Sequence, residues 1–325
     1  MKIGFHLTRL GLRGNTNAVF QYAKACQSLL GYGAVLLLRG PEGLHLSASV
    51  AEFRRHFEVF LYGSTAELDQ IVSREQVDLL YSIKPGWDDG IAAQRCPNAV
   101  HAMNSFMEPH GECYAFVSEW QSQFMSRGRY PHVPHIVTRP SGRGCLRSEL
   151  GIPTEALVIG RHGGDQTFDI PFVQKLVENF AAAHPETYFL FLNTKPFCSP
   201  RSNLIFLPGI FDLQYKDAFI SSCDAMLHAR ARGETFGLAV AEFAIAGKRV
   251  LTWAGSVEKA HFAFLDPEDA MYADYDALWL ALERLQPRIA PIVRPKMLEY
   301  SAENVMSRFK AVFIDGPCQT PARRG

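Results

Sequence analysis

The stretch ARGETFGLAVAEFAIAGKRVLTW, residues 231–253, decides the fold of this chain. It is mostly apolar, yet it carries two acids, Glu234 and Glu242, eight residues apart. The residues just before it, 224–230, predict a strand, and residues 236–247 predict a helix. The turn between this strand and this helix therefore lies at the carboxyl edge of a sheet, where open α/β proteins bind their ligands.

This turn has the features of an anion site. Gly233 and Gly237 let the backbone approach a ligand closely. The first N–H groups of the helix have no partner within it, and the helix dipole favours negative charge there. The helix closes at Gly247, a typical C′ residue. The alternative is that both acids are ordinary solvated residues, but Ala, Val, Phe and Ile surround Glu242 and favour a largely buried helix.

Short apolar strands alternate with amphipathic helices on both sides of this stretch. Strands are predicted at residues 2–7, 33–39, 77–83, 99–103, 113–118, 156–161, 187–194, 203–209, 224–230 and 248–253. Helices are predicted at residues 17–31, 65–75, 119–128, 170–184, 214–223, 236–247 and 295–313. The alternation indicates an α/β protein with mostly parallel sheets, built from two Rossmann-like units.

The domain boundaries follow from a break in this pattern. Residues 139–152, rich in Pro, Gly and Arg, keep no apolar period and predict a linker. We predict a first domain over residues 1–145, a second over 146–300, and a C-terminal helix and tail over 301–325 that pack on the first domain. A length of 325 residues agrees with about two domains.

The composition narrows the class of protein. Thirty-three basic and 33 acidic residues balance, so no basic field indicates a nucleic-acid partner. The cysteines are odd in number and lack a Cys-x-x-Cys pair, which predicts reduced thiols; they stand at positions 26, 96, 113, 145, 198, 223 and 318. The N-terminus lacks a long apolar region and no run reaches about 18 apolar residues. We expect a cytoplasmic protein; contact with a membrane surface and the oligomeric state stay open.

The opening stretch resembles a known motif. Glu234-Thr235-Phe236-Gly237, followed by Glu242 and by AGKRV at residues 246–250, looks like the Glu-x7-Glu motif of retaining, family-4-like glycosyltransferases. Further similarity to that family lies in residues 2–25, 116–125, 150–170 and 203–210. The resemblance implies the GT-B fold, in which two Rossmann-like domains face a central cleft and the C-terminal helix returns to the first domain.

The resemblance also implies roles for single residues. Glu234 would contact hydroxyls of the donor sugar, and Glu242 would contact the ribose. Backbone N–H groups at Thr235, Phe236, Gly237 and Leu238 would bind phosphate. Arg161 would be a diphosphate cation, and His101 would face the donor sugar, with a structural role as its alternative. The acceptor would meet the opening loop, at Gly11, Arg13, Gly14 and Asn15.

The sequence departs from the family at one cation. Many members have a lysine five residues after the arginine matched by Arg161, and Gln166 stands there in this chain. Lys195, just past a strand end, could supply the missing charge, or it could be a solvated loop residue. Alternatively the backbone of Gly163 and Gly164 forms a nest for the phosphate.

Competing motifs are weaker. The DYD string at Asp274–Asp276 imitates a metal motif of the other glycosyltransferase fold, but Asp276 more simply caps the following helix. No zinc-ligand spacing, Walker A or Gly-x-Gly-x-x-Gly string occurs. A hydrolase is disfavoured because eight helical residues span about 12 Å, whereas paired glycosidase carboxylates lie roughly 5 to 9.5 Å apart.

The resemblance implies a retaining glycosyltransferase without a cofactor, with a nucleotide-sugar donor as co-substrate, and the lack of a credible metal cluster in the sequence predicts metal independence. The acceptor would be a glycan, a lipid-linked molecule or a small molecule. Two other classes stay open: a non-catalytic nucleotide-sugar-binding partner of another transferase, and a nucleotide-sugar epimerase of the same fold. The donor base and sugar are not fixed by the sequence.

Overall fold

The computed structural model describes residues 1–142, 144–287 and 290–316. The chain forms two compact units. The first comprises Met1–Ile136 and the C-terminal stretch that begins at Glu299, and the second comprises Val137–Leu298. The sequence placed these boundaries at 145 and 300. Cys318 and the predicted tail from residue 317 lie outside the described residues, and the other six cysteines are free thiols.

The first unit is a parallel sheet covered by helices. Its strands are β1 (Lys2–Leu7), β2 (Gly33–Arg39), β3 (Glu58–Tyr62), β4 (Leu79–Lys84), β5 (Asn98–Ala102) and β6 (Cys113–Phe116), in the order β3-β2-β1-β4-β5-β6. Its helices before residue 136 are α1 (Gly14–Leu30), α2 (Ser47–Arg54), α3 (Thr65–Arg74) and α4 (Glu119–Ser126). Strand β1 is buried from its second residue onward, as expected for a central strand covered on both faces.

The second unit repeats this plan. Its main sheet has the order β14-β12-β10-β7-β8-β9. These strands are β7 (Leu157–His162), β8 (Thr187–Leu192), β9 (Leu204–Leu207), β10 (Ala225–His228), β12 (Arg249–Trp253) and β14 (Ala270–Tyr272). Two short strands, β11 (Gly233–Glu234) and β13 (Glu258–Lys259), pair separately. The helices are α5 (Pro171–Ala183), α6 (Leu213–Ser222), α7 (Leu238–Ile245) and α8 (Tyr275–Glu283). All strand pairs in both main sheets are parallel, which confirms the predicted fold class.

The C-terminal segment belongs to the first unit. The predicted helix over 295–313 is divided: Pro295–Tyr300 form 3-10 turns, Ser301 caps α9 (Ala302–Phe309), and Lys310–Ile314 continue as a π-helical turn. Phe309 of α9 lies against Tyr22 and Tyr81, with ring centroids 5.4 and 5.0 Å apart. This contact buries the apolar face of α9 on the first sheet. In the described part of the chain, no helix is long and apolar enough to cross a lipid bilayer.

Candidate functional site

Two glycines shape the turn between β10 and α7. Gly233 has φ +81°, and a Cβ there would lie 1.9 Å from the carbonyl oxygen of Glu258. Gly237 has φ +91° and precedes the first residue of α7. Only glycine fits a close approach of this kind in the left-handed region. Strand pairing constrains the turn further than the sequence predicted, because Gly233 and Glu234 form strand β11 against β13.

Glu234 is held by a cation and a histidine. Its Oε2 lies 2.7 Å from Nη1 of Arg230, and its Oε1 lies 3.4 Å from Nε2 of His228. The side chain is 22% exposed. Burial alone would raise the pKa of Glu234, but the hydrogen bond from His228 and the charge of Arg230 hold this pKa at about 2. The carboxylate is therefore ionised at neutral pH and still reaches solvent.

A chain of hydrogen bonds orients His228 on the side of its ring opposite Glu234. Thr252 Oγ1 lies 2.8 Å from Nδ1 of His228 and 3.1 Å from Nε2 of His261. In a neutral His228 that donates from Nε2 to Glu234, Nδ1 accepts from the Thr252 hydroxyl, and that hydroxyl oxygen in turn accepts from His261. Burial lowers the pKa of His261 to about 3, so this ring stays neutral. His228 and Thr252 are register partners on β10 and β12.

Glu242 lies inside α7 and is 5% exposed. Its Oε1 is 2.5 Å from Nζ of Lys216 on α6, and its Oε2 is 3.1 Å from Nε2 of His162 at the end of β7. Burial would raise the pKa of Glu242, but the charge of Lys216 and the close contact with His162 bring it to about 2. The alternative of two solvated surface acids is therefore wrong: both carboxylates are largely removed from water, and each is stabilised by one cation and one histidine.

The N-terminus of α7 lies between the two acids in sequence. None of the described side chains caps it, and Gly237 takes the cap position before Leu238. The helix C-terminus matches the prediction, because Gly247 has φ +77°. Phosphate contact by the backbone at Thr235, Phe236, Gly237 and Leu238 stays a prediction.

Arg161 does not have the exposed position expected of a diphosphate cation. It is buried, and its guanidinium donates to protein groups on both sides. Nη1 contacts the carbonyl of Asn193 (3.2 Å) and the hydroxyl of Thr194 (2.5 Å). Nη2 contacts the carbonyl of Gly164 (2.8 Å) and the hydroxyl of Thr167 (2.5 Å). Burial lowers its pKa to about 10, so it stays charged. Arg161 thus fixes two strand-end loops, which a sequence motif cannot show.

The glycine-rich loop after β7 is held by its carbonyls. Asn193 Nδ2 donates to the carbonyl of Gly163 at 2.7 Å, and the Gly164 carbonyl accepts from Arg161. Lys195 is exposed, and its backbone N–H donates to the carbonyl of Asp165 at 2.7 Å. Its side chain makes no ion pair within residues 1–142, 144–287 and 290–316. A phosphate role for Gly163, Gly164 or Lys195 stays a prediction.

His101 is a core residue, which corrects its predicted place facing the donor sugar. It is fully buried, its Nδ1 lies 2.6 Å from the hydroxyl of Tyr81, and its Nε2 lies 2.9 Å from the carbonyl of Val133. Phe313 packs against its ring at 5.3 Å. Burial lowers the pKa of His101 to about 4 despite these carbonyl acceptors. The structural alternative is therefore the one observed.

Buried neutral histidines predict an acid-labile first unit. Burial lowers the pKa of His6 and His135 to about 3 and that of His101 to about 4, against 6.5 when exposed. Below pH 6.5 the unfolded chain therefore binds protons that the folded chain does not. The free energy of unfolding decreases as the pH is lowered, until the pH reaches the pKa values of the folded chain. Each histidine contributes about 1.4 kcal/mol per pH unit at most.

Urea unfolding followed by circular dichroism between pH 7 and 4 tests this. The unfolding midpoint should decrease steadily, and His101→Gln should weaken that pH dependence. His56→Gln, at a half-exposed position of the same unit, should leave it unchanged. Equal pH dependence in wild type and His101→Gln would contradict a role for this histidine.

The other predicted positions lie on loops or caps. The opening loop lies between β1 and α1, with Arg13 and Gly14 exposed and Gly11 and Asn15 half-buried. Helix α1 begins at Gly14, three residues earlier than predicted, because Thr16 and Asn15 close the loop: the Gly11 N–H donates to Thr16 Oγ1, and the Thr16 N–H donates to Asn15 Oδ1. The acceptor role of this loop stays a prediction.

The DYD string lies at the N-terminus of α8 and caps this helix. Asp274, not Asp276 as predicted, caps α8 by accepting from the Ala277 N–H at 2.8 Å. A different group, Asp88, Asp89 and His110, has ligand atoms within 4.8 Å of one another. The ammonium of Lys84 already lies among them, 2.5 Å from Asp89 Oδ1 and 3.4 Å from His110 Nε2.

The residues that hold the two acids were not predicted from the sequence. His228 is the last residue of β10, Arg230 follows two residues later, and Lys216 lies in α6. The available signal was positional: polar residues at the carboxyl end of a buried parallel strand face the ligand edge of the sheet. Thr252 and His261 gave no such signal, because their contact depends on strand register and on a later loop.

The chain resembles known proteins in fold and not in sequence. No family model matches the chain, and no curated protein matches it in sequence. Solved structures do match in fold. HepE of Anabaena, in complex with UDP and glucose, has 14% identity, covers 96% of this chain and 95% of its own, and gives a TM-score of 0.61.

Two further solved structures match the fold of this chain to a similar extent as HepE. A glycosyltransferase of Rickettsia africae gives 11% identity, coverage of 97% and 94%, and a TM-score of 0.62. TarM of S. aureus gives 8% identity, coverage of 96% and 99%, and a TM-score of 0.67. The chain has the GT-B fold. In this GT-B chain, Glu234 and Glu242 lie in the second Rossmann-like unit, at the carboxyl edge of its sheet and in the helix that follows.

Proposed function

We propose that this chain is a retaining glycosyltransferase that transfers a sugar from a nucleotide-sugar donor to an acceptor hydroxyl without a bound metal ion or cofactor. The observation that carries the proposal is the pair Glu234 and Glu242, each kept ionised by a cation and a histidine. Charged carboxylates are strong acceptors for hydroxyl groups, which suits the diols of a sugar and of a ribose. The Glu-x7-Glu resemblance and the UDP-bound fold relatives support the same reading.

In the proposed mechanism, Glu234 binds the donor sugar, Glu242 binds the ribose, and the diphosphate lies at the N-terminus of α7. The N–H groups and the dipole of this helix would stabilise the charge of the departing phosphate. No protein nucleophile is required, because that phosphate takes the proton of the acceptor hydroxyl on the same face of the sugar. We assign acceptor contact to the loop with Gly11, Arg13, Gly14 and Asn15.

A thermal-shift screen against nucleotide-sugars, followed by turnover in the presence of EDTA, tests this function. Ligand at 100 times its dissociation constant adds about 2.7 kcal/mol to stability. We expect a shift with one donor class and slow donor hydrolysis that chelator leaves intact. NMR should show that the sugar is released first with the anomeric configuration of the donor.

Each competing class gives a different result. A non-catalytic partner would bind the donor and leave it whole, and an epimerase would yield a new sugar without acceptor. Activity that EDTA abolishes and Mg²⁺ or Mn²⁺ restores would contradict metal independence and point to Asp88, Asp89 and His110. Absence of any nucleotide-sugar shift would overturn the donor site itself.

A further inference from the structure

Arg230 lies where two strand-end loops meet. The N–H of Asp169, in the loop after β7, donates to the carbonyl of Ala229 at 3.1 Å. The carboxylate of Asp169 accepts from the N–H of Ala231 at 2.7 Å. Both neighbours of Arg230 are therefore fixed to the β7 loop. These bonds hold Arg230 between the loop after β7 and the turn after β10, where the proposed donor site lies.

Two other cations of the second unit, Arg161 and Lys216, are bonded to protein groups, and Lys195 lies in a different loop. Gln166, five residues after Arg161 in the loop after β7, carries no charge. The guanidinium of Arg161 is buried against its four protein acceptors. Lys216 is paired with Glu242. Lys195, exposed in the loop after β8, is the competing candidate.

The side chain of Arg230 has more N–H donors than its ion pair with Glu234 uses. It is 29% exposed and makes one ion pair within the described residues, from Nη1 to Glu234. A guanidinium has five N–H donors in a fork that matches a phosphate. Its charge also reaches Arg161, whose pKa it lowers in addition to burial.

Resting on the proposed function, we propose that Arg230 binds the sugar-bearing phosphate of the donor. The ion pair with Glu234 places this cation beside the acid assigned to the sugar. As the bond between C1 and the phosphate oxygen breaks, its electron pair passes to that oxygen, where Arg230 stabilises the charge. The acceptor oxygen forms the new bond to C1, and its proton goes to the same phosphate.

Isothermal titration of Arg230→Gln with a nucleoside diphosphate and the matching monophosphate tests the proposal. The probe is UDP with UMP, or GDP with GMP or ADP with AMP if the thermal screen selects another base. Affinity for the diphosphate should fall on the order of 10- to 100-fold, as expected for a lost charge-assisted bond. Affinity for the monophosphate should change by less than about threefold, and Arg230→Lys should recover most of the loss.

Arg232→Gln is the matched control. It removes an arginine from the same loop that also pairs with a carboxylate, Glu258 at 2.9 Å, and its side chain is 56% exposed. This variant should keep wild-type affinity for both nucleotides. Circular dichroism and the melting temperature verify folding of every variant.

The outcomes separate this proposal from the function on which it rests. If Arg230→Gln lowers turnover but keeps the wild-type ratio of diphosphate to monophosphate affinity, Arg230 only orients Glu234 and the proposal is wrong. If Lys195→Gln shows the selective loss instead, Lys195 is the cation that binds this phosphate. Wild-type protein that binds no nucleoside diphosphate would overturn the proposed function as well.

Discussion

Glu234→Gln is expected to lower kcat on the order of 10²-fold, because it removes the charge that positions the donor sugar at the reacting centre. Glu242→Gln is expected mainly to raise the donor KM. Glu242 is assigned to the ribose, which does not change during the reaction, so its contact has equal strength in ground and transition states. Steady-state kinetics with varied donor separates the two effects.

Glu178→Gln provides a control for both variants. Glu178 also pairs with a lysine in the second unit, Lys175 at 2.9 Å, but on the exposed side of α5. Its replacement should alter stability by no more than about 0.5 kcal/mol and leave kcat and KM unchanged. Folded Glu234→Gln and Glu242→Gln proteins with wild-type constants would remove this region from the active site.

The main strands could be predicted because they are short, continuous apolar runs. Strands β1 and β2 match the predicted residues 2–7 and 33–39, since a parallel strand buried on both faces leaves that pattern. Edge strands leave a weaker one. In β3 only the last of five residues is buried, and β14 has three residues, so neither was predicted.

The candidate site could be predicted only as far as the backbone determines it. Glycine at 233 and 237 and acids at 234 and 242 mark a ligand turn in any chain of this pattern. Whether an arginine faces solvent or the interior depends on loops distant in sequence. The sequence therefore indicated neither the burial of Arg161 nor the position of Arg230 beside Glu234. The predicted place of His101 was wrong for a related reason, because the C-terminal segment that covers this histidine lies about 200 residues later in the chain.

Arg161→Ala is expected to destabilise the second unit by about 3 kcal/mol, since buried acceptors left without a donor cost about 1–3 kcal/mol each and the two threonine hydroxyls can turn to other partners. The buried guanidinium joins the loop after β7 to the turn after β8. Its loss should loosen both loops. Affinities for nucleoside monophosphate and diphosphate should therefore fall together, unlike the selective loss expected for Arg230→Gln.

Urea unfolding by circular dichroism, combined with titration of both nucleotides, measures these two effects of Arg161→Ala. Arg201→Ala, at an exposed arginine of the same unit, should change stability by no more than about 0.5 kcal/mol. A stable Arg161→Ala protein that loses affinity for the diphosphate alone would restore Arg161 as a phosphate ligand. In that case donor binding would have to release the guanidinium from Asn193, Thr194, Gly164 and Thr167. The cost of breaking those buried bonds makes a structural role the expected result.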